Sequence, residues 1–171
     1  MIGFNRVEWR HTYDALTQFI NDVRTLYQNK LIQPDENGWN RIASGNLLNS
    51  VKTVITMNDQ SIEASLSLDE VWKYIEYGTR PHFPPPSALE EWIRIKPVTI
   101  LPRGNNKPPT TKQLAYLIGR KISQDGTKAH YYLVQTIEEV IERYETILEN
   151  AIQQDLSEAL EIMLGKYFNQ E

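Results

Sequence analysis

The chain has 171 residues, 40% of them hydrophobic and none of them cysteine, which is enough for one domain with a real core and too short for two large ones. The lack of cysteine removes disulfides, thiol nucleophiles and thiolate metal sites, and no apolar run reaches the roughly 20 residues that a membrane-spanning helix requires. A formal charge of −4 conceals three blocks: residues 1–72 hold 6 basic and 9 acidic side chains, residues 73–128 hold 10 and 4, and residues 129–171 hold 2 and 9, so a middle of net +6 lies between ends of −3 and −7.

Such a block pattern has three readings: an acidic partner for the middle, opposed charges facing each other within or between subunits, or solvated faces that only keep the protein soluble. Met1 to Arg10 carries Asn5, Arg6, Glu8 and Arg10 where a signal peptide would be apolar, and the expectation is a protein made in the cytoplasm.

Taken in chain order, Trp9, Tyr13, Leu16, Ile20, Val23 and Tyr27 recur in alternating steps of four and three, which predicts an amphipathic helix over about 9–31. Phe19 and Leu26 widen its apolar stripe, as packing on a sheet requires. Pro34 and Asn37-Gly38 end it. Val51 to Met57 is rich in β-branched residues, and after Asn58-Asp59-Gln60 the run Ser61 to Leu68 alternates, with Ile62, Ala64, Leu66 and Leu68 on one face and Glu63, Ser65 and Ser67 on the other. That pattern predicts a hairpin over about 50–68 with one buried face. Asp69 to Gly78 places acids first, then aromatics, then glycine, and predicts a short helix with Gly78 just past its end, a third strand being the alternative.

Pro81, Pro84, Pro85 and Pro86 dictate an extended stretch. Ser87 with Glu90 has capping-box spacing ahead of Leu89, Trp92 and Ile93, with Pro97 as the stop. A connector rich in proline, glycine and asparagine reaches Pro109, and Thr110 with Gln113 repeats the capping box ahead of Leu114, Leu117, Ile118 and Ile122. Asp125-Gly126 ends that helix. From Ile137 the spacing Val140/Ile141, Tyr144, Ile147/Leu148, Ala151/Ile152, Leu156, Ala159/Leu160 and Met163 predicts a long amphipathic helix over about 132–165, with Glu138, Glu139 and Glu142 near its positive end.

Chemistry-bearing patterns are sparse. His11, His82 and His130 lack the close spacing of a metal pair. Asp69-Glu70, Glu90-Glu91 and Glu138-Glu139 could divide into acid and base, but each sits where a helix start favours negative charge. Ser44-Gly45-Asn46 has too few glycines for a phosphate cradle, and no Gly-x-Ser-x-Gly elbow occurs. The expectation is a protein that is not an enzyme and has no catalytic residue, metal or cofactor. Arg94, Lys96, Lys112, Arg120 and Lys121, with Trp92 and Tyr116 among them, admit a second reading as a nucleic-acid-binding accessory module using the basic 94–121 region; the acidic pI of about 5.5 weighs against it.

Ser44-Gly45-Asn46-Leu47-Leu48-Asn49-Ser50-Val51 ahead of a hairpin, followed by Tyr74-Ile75-Glu76-Tyr77-Gly78-Thr79, resembles the "(T/S)GxLxxS(I/V) … YxxxxEyGT" pattern of the minor tail and tail-completion proteins that join tail to neck in tailed bacteriophages. Pro84-Pro85-Pro86 … Leu89 … Trp92, Leu114-Ala115-Tyr116 … Ile118 … Lys121-Ile122 and Gly126-Thr127-Lys128-Ala129-His130-Tyr131-Tyr132-Leu133 resemble a variant of that family with an inserted module. The likeness covers nearly the whole chain and is carried by the order of the motifs. Tyr131-Tyr132-Leu133 departs from the Pro-Phe pair that more often precedes the last helix.

The resemblance agrees with the α+β class read from the residues: a small curved antiparallel sheet packed by the first and last helices, with a two-helix module at about 87–124. It implies one tail-completion-like domain over 1–171, with 84–128 as an inserted Pro-rich basic module. The function it implies is that of a structural virion protein at the head-tail (neck) junction, assembled as a ring around the DNA channel. Expected partners are further copies of the chain in a cyclic homo-oligomer, a hexamer being favoured, and other phage neck and tail proteins. DNA would pass without specific binding, no membrane would be involved, and the chain would reside in the host cytoplasm during assembly and then in the virion. Ser44, Gly45, Asn46, Leu47, Glu76, Tyr77, Gly78 and Thr79 would serve fold or assembly. Arg94, Lys96, Lys112, Arg120 and Lys121 would form an interface.

Overall fold

The computed structural model describes residues 8–35, 38, 40–58, 61–96 and 107–168. Among these the chain forms α1 (Arg10–Ile32), α2 (Asn46–Ser50), β1 (Lys52–Met57), β2 (Ile62–Ser67), α3 (Trp72–Tyr77), α4 (Pro86–Ile95), α5 (Thr111–Asp125) and α6 (Tyr132–Phe168). The class is α+β, with the N-terminal helix and the long C-terminal helix packed against a two-stranded antiparallel sheet. The chain divides into two compact units: one of residues 1–27, 52–67 and 134–171, the other of residues 28–51 and 68–133.

In the first unit the strands pair in the register Thr53↔Leu66, Ile55↔Ala64 and Met57↔Ile62. Burial alternates along β2, so Ile62, Ala64 and Leu66 share the covered face while Glu63, Ser65 and Ser67 are exposed, as the sequence predicts. Leu66 meets a core of Val23, Val140 and Tyr144, which Phe19, Leu26 and Leu148 complete. The Phe19 and Tyr144 rings lie edge to face with centroids 5.7 Å apart, and the Tyr144 hydroxyl donates to Asp22 at 2.9 Å. Asn58 closes the hairpin by accepting the Ser61 N–H on its side chain at 2.9 Å.

Along α1 the predicted stripe is buried at Ile20, Val23 and Tyr27 but differs in the first turns. Thr12 and Ala15 are buried and Tyr13 is exposed. A count of apolar residues passes over Thr12, which turns inward because a buried carboxylate satisfies it. On α6 the inward residues are Thr136, Val140, Tyr144, Ala151 and Asp155, whereas Ile137, Ile141, Ile147, Ile152, Leu156, Leu160 and Met163 of the predicted stripe are exposed.

In the second unit α4 packs on α5 around Ile93, Leu114 and Ala115, with Leu89 and Ile118 against them. These two helices fall within residues 84–128. Thr110 and Gln113 form the capping box reciprocally, each side chain accepting the other residue's backbone N–H. The box expected of Ser87 and Glu90 does not form. Pro86 occupies the first turn of α4 with Pro85 as its N-cap, so Ser87 lies inside the helix and no side chain caps it. Pro97 and the connector through residue 106 lie outside the described residues, as do Asn37, Asp59 and Gln60.

Candidate functional site

Two sets of residues singled out by sequence can be followed in the second unit. The first begins at Gly45, whose φ of 81° permits the left-handed turn into α2. The Ser44 hydroxyl accepts from the Asn46 N–H at 3.3 Å. The Leu48 carbonyl accepts from the Gln28 side chain at 2.9 Å, while the Ser50 hydroxyl donates to the Leu47 carbonyl at 2.8 Å and accepts the Asp69 N–H at 2.9 Å. Residues 44–50 thus tie the end of α1 to the chain that enters α3. Sequence reading left the helical form of 46–50 unassigned because five residues are too few to show a period.

Glu76 is fully buried at the end of α3. Its carboxylate accepts the Leu133 N–H at 2.9 Å, and its backbone carbonyl accepts from His130 and Tyr131, each at 3.2 Å. These bonds supply the first turn of α6 with an anion and hold Tyr131 at a φ of 54°. Tyr131 is therefore a left-handed residue fixed by Glu76. Tyr77 is exposed and contacts the rings of Trp72 and Tyr131 at 5.9 and 6.5 Å. Thr79 pairs with Thr127 through two backbone bonds of 3.2 Å, and their hydroxyls are 3.0 Å apart. The pairing of Gly78-Thr79 with Gly126-Thr127 has no signal in spacing, since 48 residues separate the two dipeptides.

Of the five cations placed at an interface by sequence, Lys112, Arg120 and Lys121 share the exposed face of α5 with Tyr116 and Leu117. Arg94 is exposed on α4. Lys96 instead turns toward Asn40, bonding its backbone carbonyl and, at 3.1 Å, its side chain. The Lys96 ammonium titrates below the usual lysine range, because burial disfavours its charge and Arg41 repels it more than Asp35 attracts it.

Arg41, which no sequence pattern marked, bonds Asp35 at 3.0 Å. Its Nε is buried without a hydrogen-bond partner. Beside it lies a cavity of about 420 Å³ walled by Ile75, Trp92 and Ile118 and edged by Asn40, Arg41 and Lys96. His130 is also held below its ordinary range, by burial first and then by Arg41 and Lys128, against Asp35. The cavity is therefore apolar on its walls and cationic at its edge, with Lys96 the one amine and no carboxylate among its lining residues. His82 is exposed and bonds the Arg80 carbonyl at 2.8 Å. Among the described residues no group of three or more acids and histidines is placed to hold a metal ion.

Comparison of the chain with family models, curated proteins and solved structures gave no match.

Proposed function

We propose that the chain is a structural virion protein of a tailed bacteriophage, a minor tail or tail-completion component at the head-tail junction that assembles as a ring around the DNA channel. The observation that carries this reading is the outward face of α6, where Ile141, Ile152, Leu156, Leu160 and Met163 stand in solvent on the most acidic block of the chain. A monomer that functions alone rarely exposes so long an apolar surface. A cyclic ring needs two different faces that meet across each subunit boundary, and the basic middle and acidic end suit such a contact. The order of the motifs from Ser44 to Leu133 supports the assignment to the neck. An acidic channel wall would let DNA pass without adhering, since phosphate binding depends on cationic contacts.

The test is genetic and visual. A phage in which the gene for this chain is interrupted is expected to yield full heads and tails that fail to join, or defective tails, in electron micrographs. Intact infectious particles in normal number would contradict the proposal.

A further inference from the structure

The cavity of about 420 Å³ beside Arg41 lies within one compact unit, where α3, α4, α5 and residues 40–43 meet. Pockets that take up a small molecule have volumes in this range. Its walls are apolar and come from four places in the chain: Ile75 from α3, Trp92 from α4, Ile118 from α5, and Ile42 with Ala43 from the segment after α1.

Bonds that the protein makes to itself hold the polar edge in place. The Arg41 N–H donates to the Leu31 carbonyl at 3.0 Å, the Ile42 N–H donates to the Asn40 side chain at 3.1 Å, and the Lys96 ammonium donates to both oxygens of Asn40. Two cationic side chains are thus fixed side by side, and no carboxylate lines the cavity to oppose them. Asp35 bonds Arg41 at 3.0 Å from outside the lining, yet the Arg41 Nε is buried without an acceptor, a donor that folding alone leaves unsatisfied. The field at this edge is positive at two separate groups. After burial, repulsion by Arg41 outweighs attraction by Asp35 at both Lys96 and His130.

We propose that this cavity is a binding site for a small carboxylate with an aromatic or branched aliphatic body, the body against Ile75, Trp92 and Ile118 and the carboxylate at Arg41 and Lys96. A cation is repelled at the edge, and a neutral molecule leaves the positive field unopposed. A bare phosphate leaves the apolar walls uncovered. Arginine also suits the planar, two-oxygen geometry of a carboxylate. This site goes beyond the assembly reading and does not depend on it.

The experiment titrates 3-phenylpropionate into the full chain and follows its amide and indole N–H resonances. One saturable site is expected, half-saturated at or below about 5 mM, with shifts at Arg41, Ala43, Lys96 and the Trp92 indole and none at the Trp9 indole. The uncharged 3-phenylpropionamide is expected to bind about fivefold more weakly, and 3-phenylpropylammonium more weakly still. Lys96→Met keeps the side-chain length without the charge and is expected to lose about fivefold in affinity for the carboxylate but little for the amide. Ala43→Leu fills the cavity, leaves both cations and is expected to abolish binding, whereas Lys112→Met, on the exposed face of α5, is expected to bind as the wild type does. Unchanged spectral dispersion shows that each variant is folded, and the three probes on the wild type test the charge requirement without any substitution.

No saturation in that range overturns the site, as do shifts away from the lining residues or equal affinity for the carboxylate and the ammonium. Phenyl phosphate binding more tightly than 3-phenylpropionate overturns the choice of carboxylate. Acetyl-Asp-Phe-amide binding more tightly than the free acid overturns the small molecule in favour of a protein segment. None of these results bears on the virion assignment, which is read from particle composition.

Discussion

Asp155, deep in α6, accepts hydrogen bonds from both the backbone N–H and the hydroxyl of Thr12, at 2.8 and 2.7 Å, and a third from the His11 N–H at 3.0 Å. These are the free N–H groups of the first turn of α1, so a carboxylate 143 residues away in sequence caps the helix. Such a bond set fixes the axial register of the two long helices. Asp155→Ala is expected to destabilise the protein by about 3 kcal/mol, the loss of charge-assisted bonds together with the cap. Equilibrium urea unfolding checks it, and a cost below about 1 kcal/mol contradicts the capping role.

The same carboxylate sets an acid limit. Burial by itself would raise the Asp155 pKa, but the bonds from the Thr12 hydroxyl, the Thr12 N–H and the His11 N–H outweigh it and leave it below the ordinary range. A depressed pKa contributes stability that is present above the unfolded value, near 4, and is lost as pH falls through the folded value. Unfolding midpoints of the wild type are therefore expected to fall between pH 6 and pH 3. Asp155→Asn is expected to be less stable at pH 6 and to lose less over that interval. Equal losses in the two proteins would remove Asp155 from the acid transition.

Gly78 and Gly126 face each other's threonine. A Cβ on Gly78 would lie 2.2 Å from the Thr127 carbonyl oxygen, and one on Gly126 would lie 2.0 Å from that of Thr79, with φ of 65° and 72°. Either change to alanine meets backbone that cannot turn aside. Each is expected to cost more than about 2 kcal/mol, above the strain of a positive φ alone. Gly165→Ala, with open space around its Cβ in α6, should instead be neutral or stabilise by up to about 1 kcal/mol. Thermal melts of the three variants decide the matter, and indistinguishable midpoints contradict it.

Glu76→Ala is expected to cost about 2–3 kcal/mol, because the Leu133 N–H then loses its acceptor. Glu76→Gln keeps an acceptor oxygen and should cost less. Hydrogen exchange at Leu133 should speed up in the alanine variant while exchange at Val140, farther along α6, changes little.

The elements were legible wherever local chemistry decides them. The hairpin expected at 50–68 forms as strands 52–57 and 62–67, and the helices expected at 9–31 and 132–165 run 10–32 and 132–168. Which face of each helix turns inward was less legible. Thr12 and Asp155 lie buried because they satisfy each other across a gap that no periodicity spans, and Tyr13 is displaced outward. On α6 the apolar residues exceed what one inward stripe holds, so spacing alone merged the core side with the exposed side. Arg41 and Asn40 at the cavity were missed because a loop has no period. Lys96 looked like a free surface cation until its bonds to Asn40 were placed.

The most direct measurement is quantitative mass spectrometry of purified virions of the phage that encodes this chain. The account predicts the chain in every preparation at a small, fixed number of copies per particle, six being favoured, retained through density-gradient purification. Particles that are intact, infectious and devoid of it would contradict the account.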